Sequence, residues 1–218
     1  ITHVYKGYNQ EKDQSYFMHT LGQDILGHLI FPLGEIKTKE DVRKIARKLD
    51  LPSAEAEESQ DICFVKSSEF AEFFQQHKII AKPGNIRKTS GEIIGQHHGI
   101  MFYTVGQRRG LGIADKEPLY VVSLNAQKNE VVVGYEKDLF SKQCNLKNLN
   151  LLSGDFTPQN FEAEVKVRYH FEPVMAKIEI RQDKTALVHF KQPVKAITPG
   201  QFAVFYQKDE LLGGGVII

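Results

Sequence analysis

From Glu162 to Tyr206 the chain repeats one short pattern, and that pattern limits the folds open to it. Glu162, Glu164 and Lys166 alternate with Ala163, Val165 and Val167. A period of two places all the apolar side chains on one face, as in a half-buried strand. Met175 to Ile180, Thr185 to Phe190 and Phe202 to Tyr206 follow at regular spacing. Pro193, Pro199-Gly200 and Gly213 to Gly215 are read as separating or ending these strands. Short, evenly spaced strands predict a small barrel or sandwich.

The middle of the chain is also β-rich. Pro83-Gly84 and Ser90-Gly91 are turn signals, and Ile93 and Ile94 begin a short strand. Leu119 to Leu124 and Glu130 to Val133, joined by polar Asn125 to Asn129, predict a hairpin. Gly106 to Gly112 holds too many glycines for a helix or strand and reads as a loop that can approach a partner closely.

The first third reads helical instead. Leu21, Ile25, Leu29 and Ile30 give Tyr16 to Ile30 near-helical spacing, which Phe31-Pro32 ends. Thr38 is a good N-cap for a second helix with Glu40 and Asp41 in its first turn. Val42, Ile45, Ala46 and Leu49 form one stripe, expected to be buried, and Pro52 marks the stop. A helix this short needs that stripe packed on something.

Composition bounds the function. The chain has 218 residues, a net charge of +1 and 41% hydrophobic residues, which is ordinary for a globular protein. No apolar run approaches the roughly 20 residues of a membrane span, and Ile1 to Gln10 has no signal-peptide pattern. Two distant cysteines give neither metal spacing nor a disulfide framework, which fits a reducing cytosol. Between Lys82 and Gly110, Lys82, Arg87, Lys88, Arg108 and Arg109 face only Glu92. Such a segment suits a phosphate backbone or is simply a solvated basic face. His97 and His98 have no ligand-spaced cysteine or carboxylate, so no metal site is expected.

Cys63 lies in Ser59-Gln60-Asp61-Ile62-Cys63-Phe64-Val65. A candidate helix follows, capped by Ser67 or Ser68, with Glu69 in its first turn and Phe70, Phe73 and Phe74 as its apolar face. Its positive end would favour a thiolate. Glu55, Glu57, Glu58 and Asp61 oppose it, because like charge disfavours the anion. The local sequence leaves both an inert buried cysteine and a reactive one open.

Four ordered motifs go further. They are Lys12-Asp13-Gln14-Ser15-Tyr16-Phe17, Ser59 to Val65, Tyr103-Thr104-Val105-Gly106-Gln107-Arg108-Arg109-Gly110-Leu111-Gly112-Ile113, and Thr198-Pro199-Gly200-Gln201-Phe202-Ala203-Val204-Phe205-Tyr206 followed by Gly213-Gly214-Gly215. Together they resemble the tRNA-specific 2-thiouridylases, which place sulfur on the wobble uridine of certain tRNAs. The resemblance spans essentially the whole chain. The family's Ser-Gly-Gly-Val-Asp-Ser loop does not occur and no Walker-type loop replaces it, so no ATP-binding residues are assigned here.

The resemblance implies an α+β chain in three parts. Residues 1–66 would be the helical tail of an ATP-pyrophosphatase-type α/β nucleotide domain, 67–144 a small β-rich central domain, and 145–218 a C-terminal β-barrel. Residues 1 to about 65 are expected to be the least self-sufficient part, with Ser59 to Val65 mobile. By resemblance Cys63 carries a persulfide loaded by a sulfur-relay or cysteine-desulfurase-type donor, and its sulfur attacks an ATP-activated uridine C2. The family's second cysteine, which ends the cycle in a disulfide, has no counterpart here, and Cys144 matches no motif. The chain alone is therefore expected to be inactive. Magnesium enters only with ATP.

The resemblance also implies tRNA contacts at Lys12, Asp13, Gln14, Arg168, Tyr169 and Gln201. Arg108 and Arg109 would bind RNA phosphate or pin the central domain to the nucleotide domain. The implied setting is cytoplasmic, without membrane. The alternatives are a non-catalytic tRNA-binding module and a purely structural scaffold.

Overall fold

A computed structural model describes residues 1–56, 73, 76–152 and 159–218. The segment Ser59 to Val65, with Cys63 and the cap of the following helix, lies outside them. The chain divides into two units, one formed by Ile1–Val42 with Phe140–Ile218 and the other by Arg43–Leu139.

The first unit is a closed barrel. Its strands are β1 (Val4–Tyr5), β6 (Phe140–Leu151), β7 (Asn160–Lys166), β8 (Val174–Arg181), β9 (Thr185–Lys195), β10 (Phe202–Gln207) and β11 (Glu210–Ile217). They run in the order β1-β11-β10-β7-β8-β9-β6, and a further β11–β6 pairing closes a six-stranded antiparallel ring. Closure leaves the ring without a free edge, which is how an all-β unit avoids edge-to-edge association. Leu146, Val165, Ile178, Val188, Phe205 and Ile217 fill its interior.

Two sequence expectations are corrected here. Gly213 to Gly215 do not end a strand but lie within β11. A Cβ on Gly213 would sit 2.1 Å from the Asn150 carbonyl oxygen, so only glycine lets β11 and β6 approach. Pro193 likewise lies inside β9, within the bulge between His189, paired with Gln143, and Val194, paired with Ser141. The long strand β6 is absent from the sequence reading. Its buried positions Cys144, Leu146 and Leu149 fall out of step because Asn148 adopts a left-handed φ of 53° and inserts a residue.

Residues 1–26, part of the stretch 1 to about 65 expected to be least self-sufficient, cover the outside of this barrel. β1 pairs Val4 with Leu211. Val4, Tyr16 and Leu26 pack with Leu152, Val204, Tyr206 and Leu211 in a second apolar cluster. Alternate residues of β10 therefore enter different cores, and the strand is buried on both faces. The continuous helix expected over Tyr16–Ile30 is instead a 3-10 turn, Ser15–Thr20, and a four-residue helix α1, Gln23–Leu26. Gly22 breaks them, and tertiary bonds replace helical ones. Asn150 Nδ2 donates to the His19 and Leu21 carbonyls at 2.7 and 2.9 Å.

Helix α2 (Lys39–Lys48) forms where its cap predicts. The Thr38 hydroxyl accepts from the Asp41 backbone N–H at 3.1 Å. Its stripe is not buried, however, for Ile45 and Leu49 are 45% and 62% exposed.

The second unit holds the four-stranded sheet β3-β2-β5-β4, with β2 Gly84–Lys88, β3 Ile93–His97, β4 Tyr120–Asn125 and β5 Glu130–Gly134. β2 and β5 are parallel and the other pairs antiparallel. Ile86, Leu119, Val121, Val131 and Val133 form its core.

Candidate RNA-binding site

Asp13 and Tyr169, far apart in sequence, line one cleft of about 360 Å³ in the barrel unit. Asp13 is a clamp for the loop that carries it. Its Oδ1 accepts from the Gly7 and Ser15 backbone N–H groups at 3.0 and 3.2 Å, and its Oδ2 accepts from the Ser15 hydroxyl at 2.7 Å. The Ser15 oxygen in turn lies 3.1 Å from the Tyr206 hydroxyl, inside the second cluster. Gln14 takes the N-cap position of the following 3-10 turn without a side-chain capping bond, and Lys12 and Gln14 are both exposed.

Tyr169 sits on an aromatic shelf. Its ring centroid is 4.9 Å from Phe17, 6.0 Å from Tyr16 and 4.4 Å from His170. Burial pushes its hydroxyl pKa up. Lys166 Nζ stands 5.9 Å from the same ring, and burial lowers its pKa from the usual lysine range. Lys166, His170 and Glu172, all facing the cleft, were not singled out by sequence. The signal for Lys166 was only its place on the polar face of an alternating strand.

Arg168 points elsewhere. Its Nη2 donates to the carbonyls of Lys195 and Ala196 at 3.0 and 3.2 Å, and its buried Nε has no partner among the described residues. Gln201 is exposed on the β9–β10 turn. There the backbone N–H of Gly200 donates to the Ile217 carbonyl at 2.9 Å, and Gly200 has a φ of 87°.

In the second unit the glycine loop is internally braced. The Gln107 side chain accepts from the Thr104 N–H at 3.0 Å and donates to the Arg109 carbonyl at 2.9 Å. Gly106, Gly110 and Gly112 all have positive φ, which explains their density. Arg108 and Arg109 are exposed, with no ion pair among the described residues. The basic segment around them is less basic than its sequence, since Arg87 pairs with Glu130 at 2.8 Å and Lys88 with Asp115. That pairing holds the Asp115 carboxyl below its usual range.

Among the described residues no three His, Cys, Asp or Glu side chains group as a metal site, and no helix is long and apolar enough to cross a membrane. Neither α1 nor α2 opens from a strand through a glycine loop, the arrangement that cradles a triphosphate.

The chain matches three family models in order. They are a tRNA methyl transferase HUP domain over residues 1–67, a tRNA methyl transferase PRC-barrel domain over 71–135, and an aminomethyltransferase beta-barrel domain over 141–217. It is 45% identical over 216 residues to the tRNA-specific 2-thiouridylase MnmA of Carboxydothermus hydrogenoformans, covering 98% of this chain and 59% of that protein. It is 40% identical to the enzyme of the same name from Pelobacter propionicus, covering 99% and 61% respectively. The chain belongs to the tRNA-specific 2-thiouridylase family. It spans about three-fifths of the length of these relatives.

Proposed function

We propose that this chain supplies the sulfur-carrying cysteine and much of the tRNA grip for 2-thiolation of the wobble uridine. The observation that carries the tRNA part is the convergence of Asp13 and Tyr169 on one cleft beside exposed Lys12 and Gln14. Lysine and the polar side chains suit phosphate, sugar and base edges, and aromatic rings suit stacked unpaired bases. Gln201 and the braced Arg108–Arg109 loop add exposed groups that can reach RNA.

In the reaction, ATP activates the C2 carbonyl oxygen of uridine as a leaving group. The terminal sulfur of a persulfide on Cys63 attacks C2, and AMP departs with that oxygen. The sulfur–sulfur bond then breaks on attack by a second thiol, which leaves a protein disulfide for an external thiol reductant to reduce. A sulfur-relay or cysteine-desulfurase-type protein reloads Cys63. Cys144 does not suit the second-thiol role, because it is buried in the barrel and burial pushes its thiol up to about 12. The setting proposed is the cytoplasm, and the ATP site is placed outside the described residues.

Anisotropy titration of labelled tRNA tests the grip. Binding that weakens steeply with salt, and falls again when Arg108 and Arg109 are both changed to Gln, supports it. Binding indifferent to salt and to both arginines contradicts it.

A further inference from the structure

The cleft beside Tyr169 is lined by too many carboxylates for a phosphate. Glu11, Asp13 and Glu172 border it, with Lys6 and Lys166 as its lysines. Several of these charges are already committed. Lys6 Nζ donates to the Lys208 carbonyl at 2.8 Å, lies 3.9 Å from Glu164 and covers the Tyr206 ring at 4.7 Å. Three donors from Gly7 and Ser15 already hold the Asp13 carboxylate.

Lys166 keeps spare capacity, and of the charges that act on it, those of Asp13, Lys6 and Glu172, only Glu172 has no partner among the described residues. Lys166 has no hydrogen bond or ion pair among the described residues, and Glu172 is exposed at the rim, near enough for their charges to interact. One donor and one acceptor with cancelling charge, next to Tyr169 and His170, match the edge of a nucleobase better than an anion.

We infer that this cleft takes one unpaired base of the RNA, with Lys166 donating to a carbonyl oxygen and Glu172 accepting from a neighbouring amine or ring N–H. Guanine and cytosine present a carbonyl acceptor together with an exocyclic amine. Uracil offers its N3–H beside a carbonyl and fits as well, whereas adenine lacks the carbonyl, so the pair discriminates against adenine at this position. The inference rests on the tRNA-binding reading and adds a specificity-determining pair to it.

The test uses the full chain and A-tract pentaribonucleotides with a central A, C, G or U, followed by anisotropy across a salt series, with tRNA in parallel. Expected is a preference of about tenfold for central C, G or U over A. Lys166→Met and Glu172→Ala should each erase that preference and leave the salt slope unchanged. Glu172 is exposed, so its variant tests the proposal even if Lys166→Met folds poorly.

A uniform loss across all four oligonucleotides in Lys166→Met, with the salt slope reduced by about one, would mark a phosphate contact and overturn the inference. Tighter binding of all four by Glu172→Ala would overturn it too, since removing a carboxylate should help a phosphate. Wild-type binding without preference also defeats it while leaving the tRNA reading intact. Absence of tRNA binding removes both.

Discussion

The Arg168 guanidinium donates to the Ala196 carbonyl at 3.2 Å, where Ala196 holds a left-handed φ of 52°. A residue expected from sequence to meet RNA phosphate thus secures the chain between β9 and β10. Bonds from a charged donor to buried acceptors contribute about 1.5–3 kcal/mol each. Arg168→Ala is therefore expected to lower stability by about 3 kcal/mol or more in urea unfolding, and Arg168→Lys to recover less than half, because a lysine ammonium ends one bond short of the Nη2 that makes both contacts. Unchanged stability with collapsed tRNA binding would instead make Arg168 an RNA contact first.

Gly213 and Gly200 should respond differently to the same substitution. Both have positive φ, but a Cβ at Gly213 collides with the Asn150 carbonyl and the Leu151 Cα, whereas nothing lies within 4 Å at Gly200. Gly200→Ala carries the conformational cost alone, about 1 kcal/mol. Gly213→Ala must also part β11 from β6 and should cost at least about 3 kcal/mol. Thermal unfolding of the two variants checks the order.

Acid sensitivity should trace in part to His19. It is buried, its Nδ1 lies 2.7 Å from the Tyr16 carbonyl, and its ring packs 4.6 Å from Phe202. Burial lowers its pKa below 6.5, so the unfolded chain takes up a proton that the folded chain refuses. The resulting stability is present above pH 6.5 and is lost as pH falls from there through the folded value. His19→Gln should flatten the dependence of Tm on pH between 7 and 5. An unchanged slope would assign the effect to other groups.

Cys144 should resist alkylation in the native protein. Its thiol faces the barrel core and is pushed up to about 12 by burial. Iodoacetamide at pH 8.5, read by peptide mass spectrometry, should leave Cys144 unmodified until denaturant is added. The same burial means the unfolded chain ionises first, so this group withdraws stability as pH rises from about 9 toward 12. Rapid native labelling would contradict the closed barrel.

Local pattern made much of this architecture readable. The alternation at Glu162 to Val167 and the Thr38 cap each announced their element, because each depends on neighbours in sequence. What could not be read depends on distant partners. Gly213 is a strand residue only because β6 passes against it, and residues 15–26 give up helical bonds for contacts to Asn150. The site divides in the same way. Motifs pointed to Asp13 and Tyr169, while Lys166 and Glu172 acquire meaning only once the fold sets them around one cleft.

The central claim is that sulfur passes through Cys63 to tRNA. The most direct measurement is mass-spectrometric detection of 2-thiouridine after this chain, loaded by a persulfide donor, is mixed with tRNA, ATP and the part of a relative that it does not match. Expected is 2-thiouridine in that mixture and none with Cys63→Ser. Equal product from the Cys63→Ser variant, at matched tRNA binding, would contradict it.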